Sequence, residues 1–164
     1  METLIKKAKL GDADAFTELM TSQMPGMYRI ARAVLLNDED AADAISDTIL
    51  TCFEKLGTLR ENRYFKTWMT RILMNKCYEI IRANKHMVYV EELPEQALEG
   101  DMSDLEWKEA MNALDKKYRI VLILYYAQGF HTKEIAKILK IPDSTVRTRL
   151  SRGREQLAKY LESV

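Results

Sequence analysis

Residues 131–160, HTKEIAKILKIPDSTVRTRLSRGREQLAKY, admit few folds. Ile135, Ile138 and Leu139 recur at the i, i+3, i+4 spacing of one apolar helix face. The break KIPD follows, and Pro142 fits a first-turn position, where no intrahelical N–H bond is lost. Beyond it Val146, Leu150, Leu157 and Leu161 make an apolar stripe by steps of four and seven. Two short amphipathic helices across a tight turn form a helix-turn-helix. The other face of the second helix carries Arg147, Thr148, Ser151, Arg152 and Arg154. In a major groove, long cations fork onto guanine edges, and short hydroxyls sit close to bases or phosphates. A merely solvated helix intersperses glutamates for i,i+4 pairing, yet no acid lies between Arg147 and Arg154. The segment is therefore expected to read double-stranded DNA.

The whole-chain charge hides this, because 25 basic and 25 acidic residues cancel. By segment, residues 1–54 hold five bases and ten acids, and 55–87 hold eight and two. Residues 88–130 hold four and nine, and 131–164 hold eight and four. Two basic blocks thus alternate with two acidic ones. The basic blocks are drawn to phosphates, while the acidic ones serve as a protein-facing surface or a linker.

The remaining pattern is almost wholly helical. Asp12 is placed to cap a helix whose apolar positions are Phe16, Leu19 and Met20. Pro25-Gly26 is expected to interrupt it, with Met27 to Leu36 resuming through Ile30, Ala33 and Val34. Asn37 or Asp38 caps a third helix, near 39–56, with Ile45, Ile49 and Phe53 on one face. Its other face aligns Asp40, Asp43 and Asp47, and complementing a helix dipole explains Asp40 but not Asp47. The loop GTLRENR leads to a long helix from about Tyr64 to Lys85. From Val88 to Glu106 there are seven acids and no Lys or Arg, with Pro94 and Gly100 as breakers, so that stretch reads as a tether. Periodicity returns at Leu105 and at Tyr118, Val121, Leu122 and Tyr125. The fold expected is all-α, with small helical domains over 1–87 and 104–164 and a flexible acidic linker over 88–103.

Several function classes are excluded at this level. No run approaches the roughly 20 apolar residues of a membrane span, and METLIKKAKLGD lacks a signal-peptide core. The expected compartment is the cytoplasm, where Cys52 and Cys77, beside apolar neighbours, stay reduced and buried. With only His86 and His131 besides, no metal-ligand cluster forms. No phosphate-binding glycine fingerprint and no nucleophile–base pair is present, so neither an enzyme nor a cofactor is expected.

The block LRENRYFKTWMTRILMNKCYEIIR interleaves Arg60, Arg63, Lys66, Arg71 and Lys76 with Tyr64, Phe65 and Trp68. Aromatics among cations suit single-stranded nucleic acid, because unstacked bases need flat partners and phosphates need charge. Phe65 and Trp68 share a face with Ile72 and are expected in the core. Tyr64, Arg71, Asn75 and Lys76 are the better contact candidates, and the Asn75 amide suits a splayed-out base edge.

In order, GDADAFTELM, NDEDAADAISDTILTCFEKL, the block above and LDKKYRIVLILYYAQGFHTKEIAKILKIPDSTVRTRLSRGREQL closely resemble bacterial sigma-70 family factors. The two-domain form resembles the extracytoplasmic-function (ECF) group, and the resemblance covers nearly all of the chain but the acidic linker. It implies a first domain that binds core RNA polymerase and opens the −10 element, and a second that reads the −35 element. By the same resemblance, Asp40, Asp43 and Asp47 dock on the polymerase. The family usually has Gln-Glu where this chain has Ser46-Asp47, which keeps the charge on a shorter arm. Leu59 to Arg63, including Arg60, match the loop that captures a flipped promoter base. Arg71 and Asn75 match positions near the melted strand. Arg147, Thr148, Ser151 and Arg152 match base-reading positions, and Thr132, Lys133, Thr145, Arg149 and Arg154 would hold phosphates. Gly153 stands where the family commonly has Ala, and a mid-helix Gly costs about 1 kcal/mol, so a helix firmer on DNA than off it is expected. The implied partners are core polymerase, promoter DNA both double-stranded and melted, and an anti-sigma factor, usually membrane-anchored, with a role in stress or envelope signalling.

The main rival is a stand-alone helix-turn-helix regulator with a sensor or dimerisation domain over 1–87, binding palindromic DNA without polymerase. It leaves the basic-aromatic block and the aligned carboxylates unexplained. A helical interaction protein whose basic faces bind acidic partners leaves the recognition-helix arrangement unexplained.

Overall fold

The sequence caps act as expected in a computed structural model that describes residues 1–84 and 102–163. After α1 (Glu2–Lys9), the Asp12 side chain accepts the Ala15 N–H at 3.0 Å and opens α2 (Ala13–Leu35). Asn37, rather than Asp38, caps α3 (Asp38–Lys55), accepting the Asp40 N–H at 2.8 Å. Short 3-10 turns at Leu56–Thr58 and Asn62–Tyr64 lead into α4 (Phe65–Ala83). The second half holds α5 (Met102–Asn112), α6 (Lys116–Leu122), α7 (Thr132–Leu139) and α8 (Asp143–Glu162). One π turn, Ile123–Ala127, extends α6, and Gly129 at φ 73° ends it. No strand occurs among the described residues.

Pro25 does not break its helix. α2 runs through it without interruption, a correction to the expected pause at Pro25-Gly26. The positions Phe16, Met20, Gln23, Met27, Ile30 and Val34 follow steps of four and three across the proline, so both segments bury the same stripe. Burying that stripe as one unit outweighs the hydrogen bond and the steric cost at one proline. The apolar series of α3 also departs from expectation: Ile45 is buried and Ile49 half-buried, but Phe53 is 63% exposed and meets Phe16 edge-on at 5.4 Å. Likewise Leu161, the last position of the α8 stripe, is exposed, because the helix outruns the elements it packs on.

α2 lies against α3, α4 and α6, α4 against α7, and α8 against α5, α6 and α7. Buried residues of both halves, from Leu19, Met27 and Phe65 to Leu122, Ile135 and Val146, form one continuous cluster. Cys52 and Cys77 are buried free thiols in it, and burial pushes both up to about 12. Most of the expected acidic tether, residues 88–101, lies outside the described residues, and α5 begins at Met102, two residues before the expected 104.

Candidate nucleic-acid interface

The turn ahead of α8 is tight because Lys140 ends α7 in the left-handed region at φ 56°, and Pro142 then stands as N-cap of α8. Val146 and Leu150 are buried beneath α8, so Arg147, Thr148, Ser151 and Arg152 are exposed on its outer side. Arg147 is steadied by Asp143 one turn back at 3.1 Å, and the Thr148 hydroxyl donates to the Ser144 carbonyl at 3.0 Å. Thr145 and Arg149 are half-buried at the edge of a cleft of about 220 Å³ between α6 and α8. Lys117, Ser144, Thr148 and Arg152 line it with them, a set of cations and hydroxyls that suits phosphate oxygens. Thr132 and Lys133 lie in the first turn of α7, half-buried and exposed respectively.

Arg154 has a different setting. Its Nε–H donates to the Tyr126 hydroxyl, and its guanidinium lies 5.9 and 5.6 Å from the ring centres of Tyr125 and Tyr126. It braces α8 against the π turn, where the resemblance implied a phosphate contact. Gly153 also has a packing reason that the sequence did not reveal. A Cβ there would stand 3.1 Å from Leu122 Cδ1 and 3.3 Å from Tyr118 Cβ, so the missing side chain lets α6 approach α8. The expected looseness of this helix off DNA is thereby offset by close packing.

In the first half, Tyr64, Trp68, Arg71 and Asn75 follow steps of four, three and four along the start of α4 and form one stripe. Tyr64, Arg71 and Asn75 are exposed, Phe65 is fully buried, and Trp68 is half-buried, packed against the core rather than inside it. Arg60 is exposed, and Arg63 is exposed too, stacked at 4.8 Å over the Tyr64 ring and paired with Glu61 at 2.8 Å. Leu59 is a correction: its side chain is buried, so it anchors the loop instead of facing a base. Its carbonyl and Asn62 Oδ1 both accept from Lys9 Nζ at 2.6 Å, which pins the loop to α1. Lys66 lies off the stripe, half-buried, and donates to the Gln128 carbonyl at 2.9 Å. Lys76 is off it as well, 3.9 Å from Glu79.

On α3, Asp43 and Asp47 are exposed, while Asp40 is half-buried in the first turn. Leu50, 57% exposed, and Glu54 continue the same face by steps of three and four, and Phe53 flanks it. The face is an acidic rim around an apolar centre, a pattern suited to a protein surface.

The Sigma-70 region 2 family matches residues 19–87 and the Sigma-70 region 4 family matches residues 104–157. Over the full length of both chains, the protein is 30% identical to the ECF RNA polymerase sigma factor SigW of Bacillus subtilis. The chain belongs to the sigma-70 family, in its ECF group. A second sigma factor, SigM of Mycobacterium tuberculosis, is 26% identical over 92% of this chain and 79% of its own. Among solved structures, the sigma factor RpoE of Bartonella quintana, crystallised with the anti-sigma factor NepR, superimposes with a TM-score of 0.79. That match has 25% identity and covers 90% of this chain and 96% of the other. CnrH, in complex with the cytosolic domain of CnrY, shares the fold with a TM-score of 0.73, 23% identity, and coverage of 99% and 97%.

Sequence reasoning missed several residues of this sigma factor that the geometry brings forward. Lys117 joins the α8 cleft from α6, a position that periodicity alone leaves as surface. Leu50 and Phe53 join the acidic face; the signal was an apolar pair among exposed acids. Arg119 is 3% exposed, with its Nε–H on the Ala33 carbonyl at 2.6 Å. Its signal was an arginine inside the otherwise apolar run 118–124. Burial, and then Arg119 itself, lower the neighbouring Lys116 ammonium below the ordinary lysine range.

Proposed function

We propose that this ECF sigma factor binds core RNA polymerase and directs it to promoters by two weak DNA contacts. α8 enters the −35 major groove with Arg147, Thr148, Ser151 and Arg152, and the cleft residues Lys117, Thr145 and Arg149 take flanking phosphates. Thr132 and Lys133 add phosphate contacts from α7. The stripe Tyr64, Arg71 and Asn75, with Arg60 and Arg63, holds unstacked bases of the −10 element. Lys66 and Lys76 reach backbone phosphates there once the halves separate. Asp43 and Asp47, around Leu50 and Phe53, dock on the polymerase, and Asp40 complements the start of α3.

In this reading, residues 1–87 form the polymerase-binding and −10 domain, 88–103 the linker, and 104–164 the −35 domain. Each domain alone binds DNA weakly, and docking on one polymerase raises the effective concentration of each for its element. Melting needs no catalysis, since captured single-stranded bases shift the duplex equilibrium toward open. The chain is not an enzyme and acts in the cytoplasm. The similarity to RpoE, solved with NepR, supports an anti-sigma factor as inhibitor, and stress or envelope signalling is the process such control serves. The exposed cations and hydroxyls from Arg147 to Arg154, with no acid between them, carry the DNA reading.

The test is run-off transcription with purified sigma-free core from the same organism and a pool of its upstream DNA. Start sites sharing two spaced elements are expected, lost with Arg152→Ala, while Leu50→Asp weakens binding to core. Sequence-specific DNA binding without core-dependent initiation would instead establish the stand-alone regulator.

A further inference from the structure

The loop that leads into α4 is held from outside its own sequence. It joins the two 3-10 turns, Leu56–Thr58 and Asn62–Tyr64, and its backbone is extended at Leu59 and Glu61, with φ −70° and −118°. The Leu59 N–H donates to the Leu56 carbonyl and the Tyr64 N–H to the Glu61 carbonyl, both at 3.1 Å. Each of these bonds stays inside one turn, so neither fixes one turn against the other. Lys9, the last residue of α1, does so. An ammonium has three donors, and this one places two of them at 2.6 Å, on the Leu59 carbonyl and on Asn62 Oδ1. The exposed tip, Arg60 and Glu61, lies between those two anchors. From the tip, Glu61 pairs with Arg63 at 2.8 Å, and Arg63 lies 4.8 Å over the Tyr64 ring. A chain of contacts thus leads from α1 to the first residue of the α4 stripe. Lys9 and Asn62 are half-buried, where charge-assisted bonds are screened less than at the open surface.

We propose that Lys9 is a positioning residue for promoter opening: it preforms the loop, so that a displaced −10 base meets Arg60, Arg63 and Tyr64 already in place. The proposal rests on the promoter reading above. Extruding a base from the duplex is unfavourable, and the contacts made to that base must offset it. Ordering a slack loop at the same moment would take a share of those contacts, whereas a loop shaped beforehand leaves them whole. A loop in the competent shape about a tenth of the time binds the base about tenfold more weakly. Lys9 itself meets no base, because its ammonium is turned into the loop. Its effect is therefore confined to the captured base, while neighbouring nucleotides meet α4 as before.

The test uses holoenzyme assembled from core and the full chain, with single-stranded −10 oligonucleotides taken from the start sites that run-off transcription yields. Each position in turn is made abasic, and the wild type should lose affinity sharply at the captured one. Lys9→Met should bind the intact strand about tenfold more weakly, and the strand abasic at that position as the wild type does. Lys7→Met, the same charge change on an exposed side chain of the same helix, should match the wild type on both strands. Asn62→Leu should also lose on the intact strand, and adding Lys9→Met to it should cost less than in the wild-type background. Lys9→Arg, which keeps a cation with several donors, should restore most of the affinity. Hydrogen exchange in the free chain reads loop order independently. The Leu59 and Tyr64 amides should exchange faster in Lys9→Met, with those of α4 beyond its first turn unchanged. Equal weakening on intact and abasic strands, with a smaller salt slope, would make Lys9 a phosphate contact and overturn the proposal. Unchanged exchange at Leu59 and Tyr64 would overturn it too, as would faster exchange all along α4, the mark of lost stability alone. A wild type indifferent to every abasic site overturns base capture and this role with it, while the exchange data report the hold of Lys9 on the loop in either case.

Discussion

The two halves present similar cations on unlike supports. In the first, the α4 stripe stands on α2, α3 and α4, of 23, 18 and 19 residues, with Leu19, Met27, Phe65 and Leu73 beneath it. In the second, α8 rests on α6 and α7, of seven and eight residues. Helices below about 12–15 residues are marginal alone in water, so tertiary packing holds those two. Part of that packing comes from the first half, through α2 on α6 and α4 on α7. The first half therefore builds its own platform, whereas the second borrows part of its platform from the first.

The largest effect should come from the element that serves both. Phe65 is fully buried at the start of α4, and Phe65→Ala is expected to cost about 3–5 kcal/mol. In urea titrations with hydrogen exchange, α7 amides should lose protection together with those of α4. Protection of α7 that survives the substitution would show that the second half stands alone.

Next come the cations of α8. Arg147→Ala removes an exposed guanidinium from the base-reading face and should weaken specific DNA binding by about 1–3 kcal/mol. Arg154→Ala, by contrast, breaks a tyrosine brace, so its loss should appear in thermal stability, with the salt dependence of binding unchanged. A salt slope reduced by about 1 for Arg154→Ala would return it to the phosphate contacts.

Those two arginines mark what the sequence could reveal. Helix period, caps and charge blocks suffice for the all-α class and for the outward face of α8, because they are local properties of the chain. Arg154 and Gly153 depend on where Tyr126 and Leu122 arrive from α6 and its π turn, and no spacing within α8 encodes that. Leu59 misled for a related reason. A loop residue between cations reads as exposed until Lys9, fifty positions earlier, draws its carbonyl inward. Pro25 misled because a local rule was overruled by a buried stripe in phase on both sides.

Alkaline pH should separate the halves chemically, since both thiols lie in the first. Their folded pKa of about 12 exceeds the ordinary 9.0. The stability gained by keeping the protons is thus complete below pH 9 and is lost as pH rises toward 12. Over the first pH unit above 9, each thiol should contribute a loss of roughly 1 kcal/mol. The urea midpoint should fall above pH 9 in the wild type and less steeply in Cys52→Ala/Cys77→Ala. A parallel pH dependence in the double variant would show that the thiols ionise in the folded protein.

The smallest effect tests the borrowed platform at its tightest bend. Lys140 holds φ at 56° to turn α7 into α8, a conformation that costs a residue with a Cβ about 1–2 kcal/mol and glycine almost nothing. Glycine also gives the unfolded chain more freedom, which returns part of that gain. Lys140→Gly should therefore stabilise the protein by a net of about 0.5–1 kcal/mol, seen as a higher urea midpoint with the same slope. Because the second half relies on its neighbour, the gain should be larger in Gly26→Leu, whose side chain would crowd Gln128 at the contact between the halves. An equal gain in the wild-type and Gly26→Leu backgrounds would show that the turn is already held by the second half's own packing, and that the asymmetry between the halves is smaller than helix lengths imply.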